Sequence, residues 1–131
     1  PALAPALGEP VKVAALPHPL DSSDWRLAHK TSDRGFYEDA LAAARSFGAD
    51  EAVLVRADGL VTEGSWTSVF ADGPDGVLLT PPATLGLLPG VLREHLMVEG
   101  RAREAELTLD DLGGGFWIGN ALRGLMRAAL V

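Results

Sequence analysis

Three groups of residues in this 131-residue chain have the types and spacing for chemistry. The first is Lys30, in RLAHKTSDRGFYEDAL (residues 26–41). Most lysines are solvated surface charges, and position alone does not lift Lys30 above that. Scarcity does, because Lys12 is the only other lysine and every remaining cation is an arginine. An amine that loses its proton on desolvation can attack a carbonyl and form a Schiff base, which a guanidinium cannot do. The second is Glu63, in GLVTEGSWTSVF. The plain alternative is an edge-strand acid pointing into water. Its neighbours along the chain, Val61, Gly64, Trp66, Val69 and Phe70, are apolar or small instead. A carboxylate in that setting needs a cationic partner, and a pyridinium nitrogen would serve. The third is GLLPGVLRE, where Gly86, Pro89 and Gly90 bring a tight turn against a helix start whose open N–H groups and dipole favour an anion. A second small-residue turn, GGGFWIGNALRG, ends a strand at Gly119-Asn120 and offers donors to the same anion. A lysine, a semi-buried carboxylate and two anion-binding turns are together what pyridoxal phosphate requires for its aldehyde, ring nitrogen and phosphate.

The elements that must position these groups follow from pattern and punctuation. PALAPALGEP, residues 1–10, is rich in Pro and Ala without periodicity and reads as a linker from an upstream domain, leaving 11–131 as one domain. VKVAALP alternates as a strand closed by Pro17 and Pro19. From Asp33 the spacing becomes helical, with Phe36, Ala40, Leu41, Ala44 and Phe47 on one face and Gly48 as the stop. DEAVLVRADGLVTEGSWTSVF gives two strand runs joined at Asp58-Gly59, and DGPDGVLLTPP a turn and strand. LPGVLREHLMVEG is a helix bounded by Pro89 and Gly100. REAEL is a short strand, TLDDL a capped helical turn, GGFWIGN a buried strand and ALRGLMRAAL a closing helical segment. The order is mixed α and β, with hairpins in place of regular βαβ units.

Composition removes several functions. Eighteen acidic against 11 basic residues give a charge of −7, and no basic run provides a nucleic-acid surface. No apolar stretch approaches the roughly 20 residues of a membrane helix, so no membrane partner is expected. Cysteine is absent, which excludes disulfides and thiolate metal sites and is compatible with a cytoplasmic location. His18, His29 and His95 lack metal-ligand spacing. Trp25, Trp66 and Trp117 are read as core, and Arg93 and Arg123 as helix-surface charges.

The ordered blocks HKTSDR, DEAVLVRADGLVTEGSWTSVF, LLTPPATLGLLPGVLRE and TLDDLGGGFWIGNALRGL resemble the class IV pyridoxal-phosphate enzymes. That group contains branched-chain aminotransferase, D-amino-acid aminotransferase and 4-amino-4-deoxychorismate lyase. The likeness implies an α/β fold, the larger C-terminal domain with a mixed sheet or pseudo-barrel and flanking helices. It implies that Lys30 holds the cofactor as a Schiff base and that Glu63 pairs with the ring nitrogen. It further implies that Leu88 packs against the ring, that Val91 and Leu92 offer amides to the phosphate, and that Asn120 adds a contact. Arg34 matches an arginine of lyase-like members, where branched-chain aminotransferases carry a tyrosine nearby. Leu92 departs from relatives that have a hydroxyl there. HKTSDRGFYEDA, TEGSWTSVF and GNALRGL are most similar to the lyase portion of synthase–lyase fusions. The expected reaction is conversion of 4-amino-4-deoxychorismate, a small anionic amino substrate, to 4-aminobenzoate and pyruvate in folate biosynthesis. Transamination of branched-chain or D-amino acids is the alternative, and a non-catalytic domain that has lost the cofactor is another. The resemblance also implies a homodimer and a preceding small domain, without which this chain is expected to be weakly active or inactive.

Overall fold

Val11–Pro17 (β1) and Glu51–Val55 (β2) are parallel neighbours, with Val13 opposite Glu51 and Leu16 opposite Leu54. Parallel strands need a crossover, and helix α1, Gly35–Ser46, lies between them in the chain. The structure, a computed structural model, describes residues 9–18 and 35–131. The same device recurs where Leu78–Thr80 (β5) runs parallel to Ala102–Glu104 (β6), with α2, Val91–Val98, between them. The hairpins expected from the sequence are present, but so are these two βαβ crossovers. Strands of three residues such as β5 and β6 are too short to display a pattern, so their pairing is invisible in the sequence.

Val61–Gly64 (β3) folds back antiparallel on β2 across the Asp58-Gly59 turn, where Gly59 takes the left-handed φ of 88°. Ser68–Asp72 (β4) pairs with both β5 and Phe116–Asn120 (β7). Between β6 and β7, Leu109–Leu112 (α3) is capped reciprocally by Thr108 and Asp111. The closing segment, expected to be helical, is instead a strand, Gly124–Leu130 (β8). Leu, Met, Arg and Ala favour helix, yet β8 lies between β1 and β7, with Ala128 opposite both Val11 and Phe116. Pairing along both edges overrides a propensity of a few tenths of a kcal/mol per residue.

Among the described residues the sheet order is β3-β2-β1-β8-β7-β4-β5-β6. In a flat sheet the five strand spacings from β3 to β4 would amount to roughly 24 Å. The link from Gly64 to Ser68 spans at most roughly 14 Å when extended. The sheet therefore has to curl until β3 and β4 meet, and a bond from the Gly64 N–H to the Thr67 carbonyl (2.9 Å) closes the seam.

Alternation then sends side chains to two faces. Val11, Val13, Val53, Val69, Phe116 and Ile118 fill the inside of the curl. Their sequence neighbours point outward: Ala14, Ala52 and Leu54 meet Tyr37, Ala40 and Ala44 of α1, and Phe70 meets Leu96 of α2. Phe47, expected on the buried face of α1, is 68% exposed because the helix ends at Ser46, and Tyr37 takes the inward position. Arg93, read as a surface charge, is buried in α2; its guanidinium donates to the Pro81 carbonyl (3.1 Å) and pairs with Glu104 of β6. Arg123 is exposed, but on the β7–β8 turn and not on a helix.

Candidate active site

Leu54 stands opposite Glu63 in the β2–β3 register, so the two side chains share the outer face of the sheet. That face carries α1, and the Tyr37 hydroxyl donates to Glu63 Oε2 at 3.0 Å. Glu63 Oε1 accepts the Leu88 N–H at 3.2 Å, from the segment that leads into α2. The carboxylate is thus only 5% exposed and is held between the approaches to both crossover helices. Donors to both oxygens fix its plane.

A cleft of about 580 Å³ opens beside it, within the usual size of a small-molecule site. Glu63, Leu88, Val91, Leu92 and Asn120, the described residues expected to touch the cofactor, all line it, as does Gly90 of the expected anion turn, whereas Gly86 and Pro89 do not. Lys30 and Arg34 lie outside the described residues. The start of α2 is open to the cleft: Gly90 is its N-cap, and no side chain caps the first-turn N–H groups. Small residues let the walls approach. A Cβ on Gly90 would stand 3.1 Å from Ser68 Oγ, and one on Gly119 would stand 2.8 Å from Leu92 Cδ2 and 2.6 Å from the Gly124 carbonyl oxygen. Asn120 braces the β7–β8 turn, its Oδ1 accepting the Arg123 N–H (2.8 Å) and its Nδ2 donating to the Trp66 carbonyl (3.3 Å). One of its two amide hydrogens is left for another acceptor.

Two residues that carry this arrangement are not evident in the sequence. Tyr37 follows Phe36 in a helical run and gives no sign that its hydroxyl reaches an acid 26 positions away. Glu51 is wholly buried beneath the 64–67 segment, where burial pushes its carboxyl above the usual carboxylate range against the pull of its hydrogen bonds, that of Ser65 foremost. Trp66, read as core, packs on the inner cluster and also borders the cleft. Among the described lining residues Glu63 is the only charged side chain. An anion would therefore meet backbone amides and the Asn120 amide, while a ring nitrogen would meet Glu63. Glycine-lined walls, an uncapped helix start and an oriented buried acid fit pyridoxal phosphate. Among the described residues no helix is long and apolar enough to cross a membrane, and no acid and histidine cluster could hold a metal.

A family model described as amino-transferase class IV matches residues 2–131. Among solved structures, a candidate amino-acid aminotransferase from Mesorhizobium loti is 44% identical over the whole chain, with a TM-score of 0.87. A hypothetical aminotransferase from Mycobacterium tuberculosis, in a form with α-ketoglutarate and PMP bound, is 26% identical over 93% of the chain, with a TM-score of 0.82. A candidate 4-amino-4-deoxychorismate lyase from Legionella pneumophila shares the fold, with a TM-score of 0.80 at 24% identity over 93% of the chain. The chain spans 64% of the first of these structures and 48% of the other two. No curated protein matches it.

Proposed function

Because the chain belongs to the class IV amino-transferase family, we propose that it is the cofactor-holding part of a pyridoxal-phosphate enzyme acting on a small anionic amino substrate. The observation that carries this reading is Glu63, a buried acid oriented by Tyr37 and the Leu88 N–H, in the same cleft as an uncapped helix start. When bound, the cofactor supplies an aldehyde that condenses with amines and a ring that accepts the electron pair released at the carbon bearing nitrogen. Glu63 keeps the proton on the ring nitrogen. Leu88 supplies apolar surface for the ring, and the N–H groups of Val91 and Leu92 with the Asn120 amide take the phosphate. Lys30 would hold the cofactor through its aldehyde and would move the proton at the substrate carbon that bears nitrogen. His18 and Phe36 flank the segment that contains Lys30, and their rings lie 5.9 Å apart. The Phe36 ring in turn lies 4.0 Å from that of Tyr37, whose hydroxyl reaches Glu63. Arg34, four positions after Lys30, adds a cation to the cofactor site.

The lyase reaction, giving 4-aminobenzoate and pyruvate with aromatisation as its driving force, is the reading favoured by the motifs around Lys30 and Glu63. The likeness to the Mesorhizobium loti candidate amino-acid aminotransferase favours transamination as the second reading. Products separate them, since pyruvate without a new amino acid marks the lyase and amino exchange with 2-oxoglutarate marks the transferase. An arginine from an upstream domain and a homodimer that completes the pocket belong to the same proposal. Titration with pyridoxal phosphate tests the site itself. A visible absorbance band is expected, lost in Lys30→Ala and weakened in Glu63→Gln, and a band that survives Lys30→Ala would sink the assignment.

A further inference from the structure

We propose that Glu51, which does not line the cleft, is a positioning residue for it, holding the 64–67 segment and through that segment the Asn120 turn; the cofactor consequence rests on the function proposed above. Glu51 opens β2 with no exposed surface, and no cation among the described residues pairs with it. An isolated buried carboxylate costs several kcal/mol unless donors surround it. Five do. Oε1 accepts the Ala52 N–H (2.7 Å), the Ser65 N–H (3.2 Å) and the Ser65 hydroxyl; Oε2 accepts the Trp66 N–H (3.3 Å) and the Thr67 hydroxyl (2.9 Å). Four of the five belong to the three residues that link β3 to β4.

A link of that length needs no buried charge to exist, since short connections ordinarily turn their amides to water. Here the amides turn inward to Glu51, and the Trp66 carbonyl accepts the Asn120 Nδ2. Asn120 Oδ1 in turn holds the Arg123 N–H. Hydrogen bonds thus link Glu51 through the N–H and the carbonyl of Trp66 to the turn beside the start of α2. The linkage is also tightly packed. A Cβ on Gly64 would lie 2.3 Å from Thr67 Oγ1 and 2.6 Å from Glu51 Oε2, so no larger residue fits between Glu63 and this anchor. Glu63 is the preceding residue in the same strand, and its backbone shares the anchor.

The test is a double-mutant cycle on the full chain, with half-saturation by pyridoxal phosphate as the readout. Glu51→Gln keeps the shape but replaces one acceptor oxygen with a donor. About tenfold weaker half-saturation is expected, as for loss of an outer support. Asn120→Ala should cost a similar factor, and the double variant little more than either alone, because one acts through the other. Factors that multiply to about a hundredfold would overturn the proposal, as would a Glu51→Gln variant that melts earlier yet binds unchanged. If Glu51→Gln does not fold, Ser65→Ala removes one donor and keeps the acid; its smaller loss should be equally non-additive with Asn120→Ala. If the unaltered chain gives no visible band, the cofactor reading has failed, and amide exchange decides the positioning claim alone. The Ser65 and Trp66 amides should then exchange at least tenfold faster in Glu51→Gln, and equal rates would refute it.

Discussion

Replacing Gly119 with alanine tests whether the two turns of the cleft are set by contact between their backbones. Gly119 has no left-handed φ that would call for glycine, so only closeness explains it. A Cβ there would lie 2.6 Å from the Gly124 carbonyl oxygen and 2.8 Å from Leu92 Cδ2, and under 3.0 Å something must shift. The Leu92 methyl is the end of a side chain, but it packs with Phe70 and Leu96 and has little room. The Gly124 oxygen is backbone in the hairpin that carries Asn120, and it has to retreat by about half an ångström. Overpacking of this kind costs about 1–3 kcal/mol. The stiffer unfolded chain returns about 0.4–1 kcal/mol. A net loss of about 1–2 kcal/mol should lower the melting temperature by roughly 4–8 °C. The hairpin and α2 should also part where the phosphate is proposed to sit, weakening half-saturation by pyridoxal phosphate about tenfold. Urea or thermal unfolding measures the first effect and absorbance titration the second. Gly114→Ala is the control, since nothing lies within 4 Å of its Cβ position and its φ is ordinary. It should be neutral or slightly stabilising. Gly119→Ala with unchanged stability would refute the packing argument. Lower stability with unchanged cofactor binding would refute the claim that the two turns share one phosphate.

Tyr37→Phe removes a hydrogen bond to a buried carboxylate and should lower the unfolding free energy by about 1–2 kcal/mol, and an unmoved urea midpoint would count against the Tyr37–Glu63 contact. Glu104→Gln leaves the Arg93 guanidinium only the exposed Glu94 carboxylate at 3.5 Å; because that contact remains and Glu104 is itself 39% exposed, the loss at neutral pH should sit near or below the lower end for buried pairs, at about 2–3 kcal/mol. The Ala83 N–H, then Arg93, hold the Glu104 carboxyl below its ordinary 4.5, so this stability is present above that value and is lost as pH falls through the lower folded value. Asp72 behaves alike through the Trp117 indole and Arg127, whereas Glu51, raised by burial, favours the folded state more as pH falls from its raised folded value to 4.5, below which the gain is complete. Comparing urea midpoints at neutral and acid pH, the parent chain should lose more stability on acidification than Glu104→Gln, and parallel losses would remove Glu104 from the account.

What the sequence made legible was local. Pro89 and Gly100 bound α2, Asp58-Gly59 turns the β2–β3 hairpin, and Thr108 with Asp111 caps α3, each through residues a few positions apart. Glu63, Gly90 and Gly119, which line the cleft, were legible for the same reason, since a glycine turn or an acid among apolar neighbours is visible within a dozen positions. The β8 strand was not, because its helical composition is outweighed by partners more than a hundred residues back in β1. Nor were the buried charges. Arg93 pairs with Glu104 across a crossover, and Glu51 takes donors from a linker 14 to 16 positions on, so neither partnership shows in the sequence. Curling itself follows from arithmetic on topology, three linking residues against five strand spacings, which only the pairing order supplies. The groups proposed to touch the cofactor are therefore written locally, while the groups that hold them in place are written in the pairing of distant strands. A family that changes its chemistry can then alter the first set without disturbing the second, and substitutions at Glu51 or Gly119 should damage any activity this cleft supports, whichever amino substrate it takes.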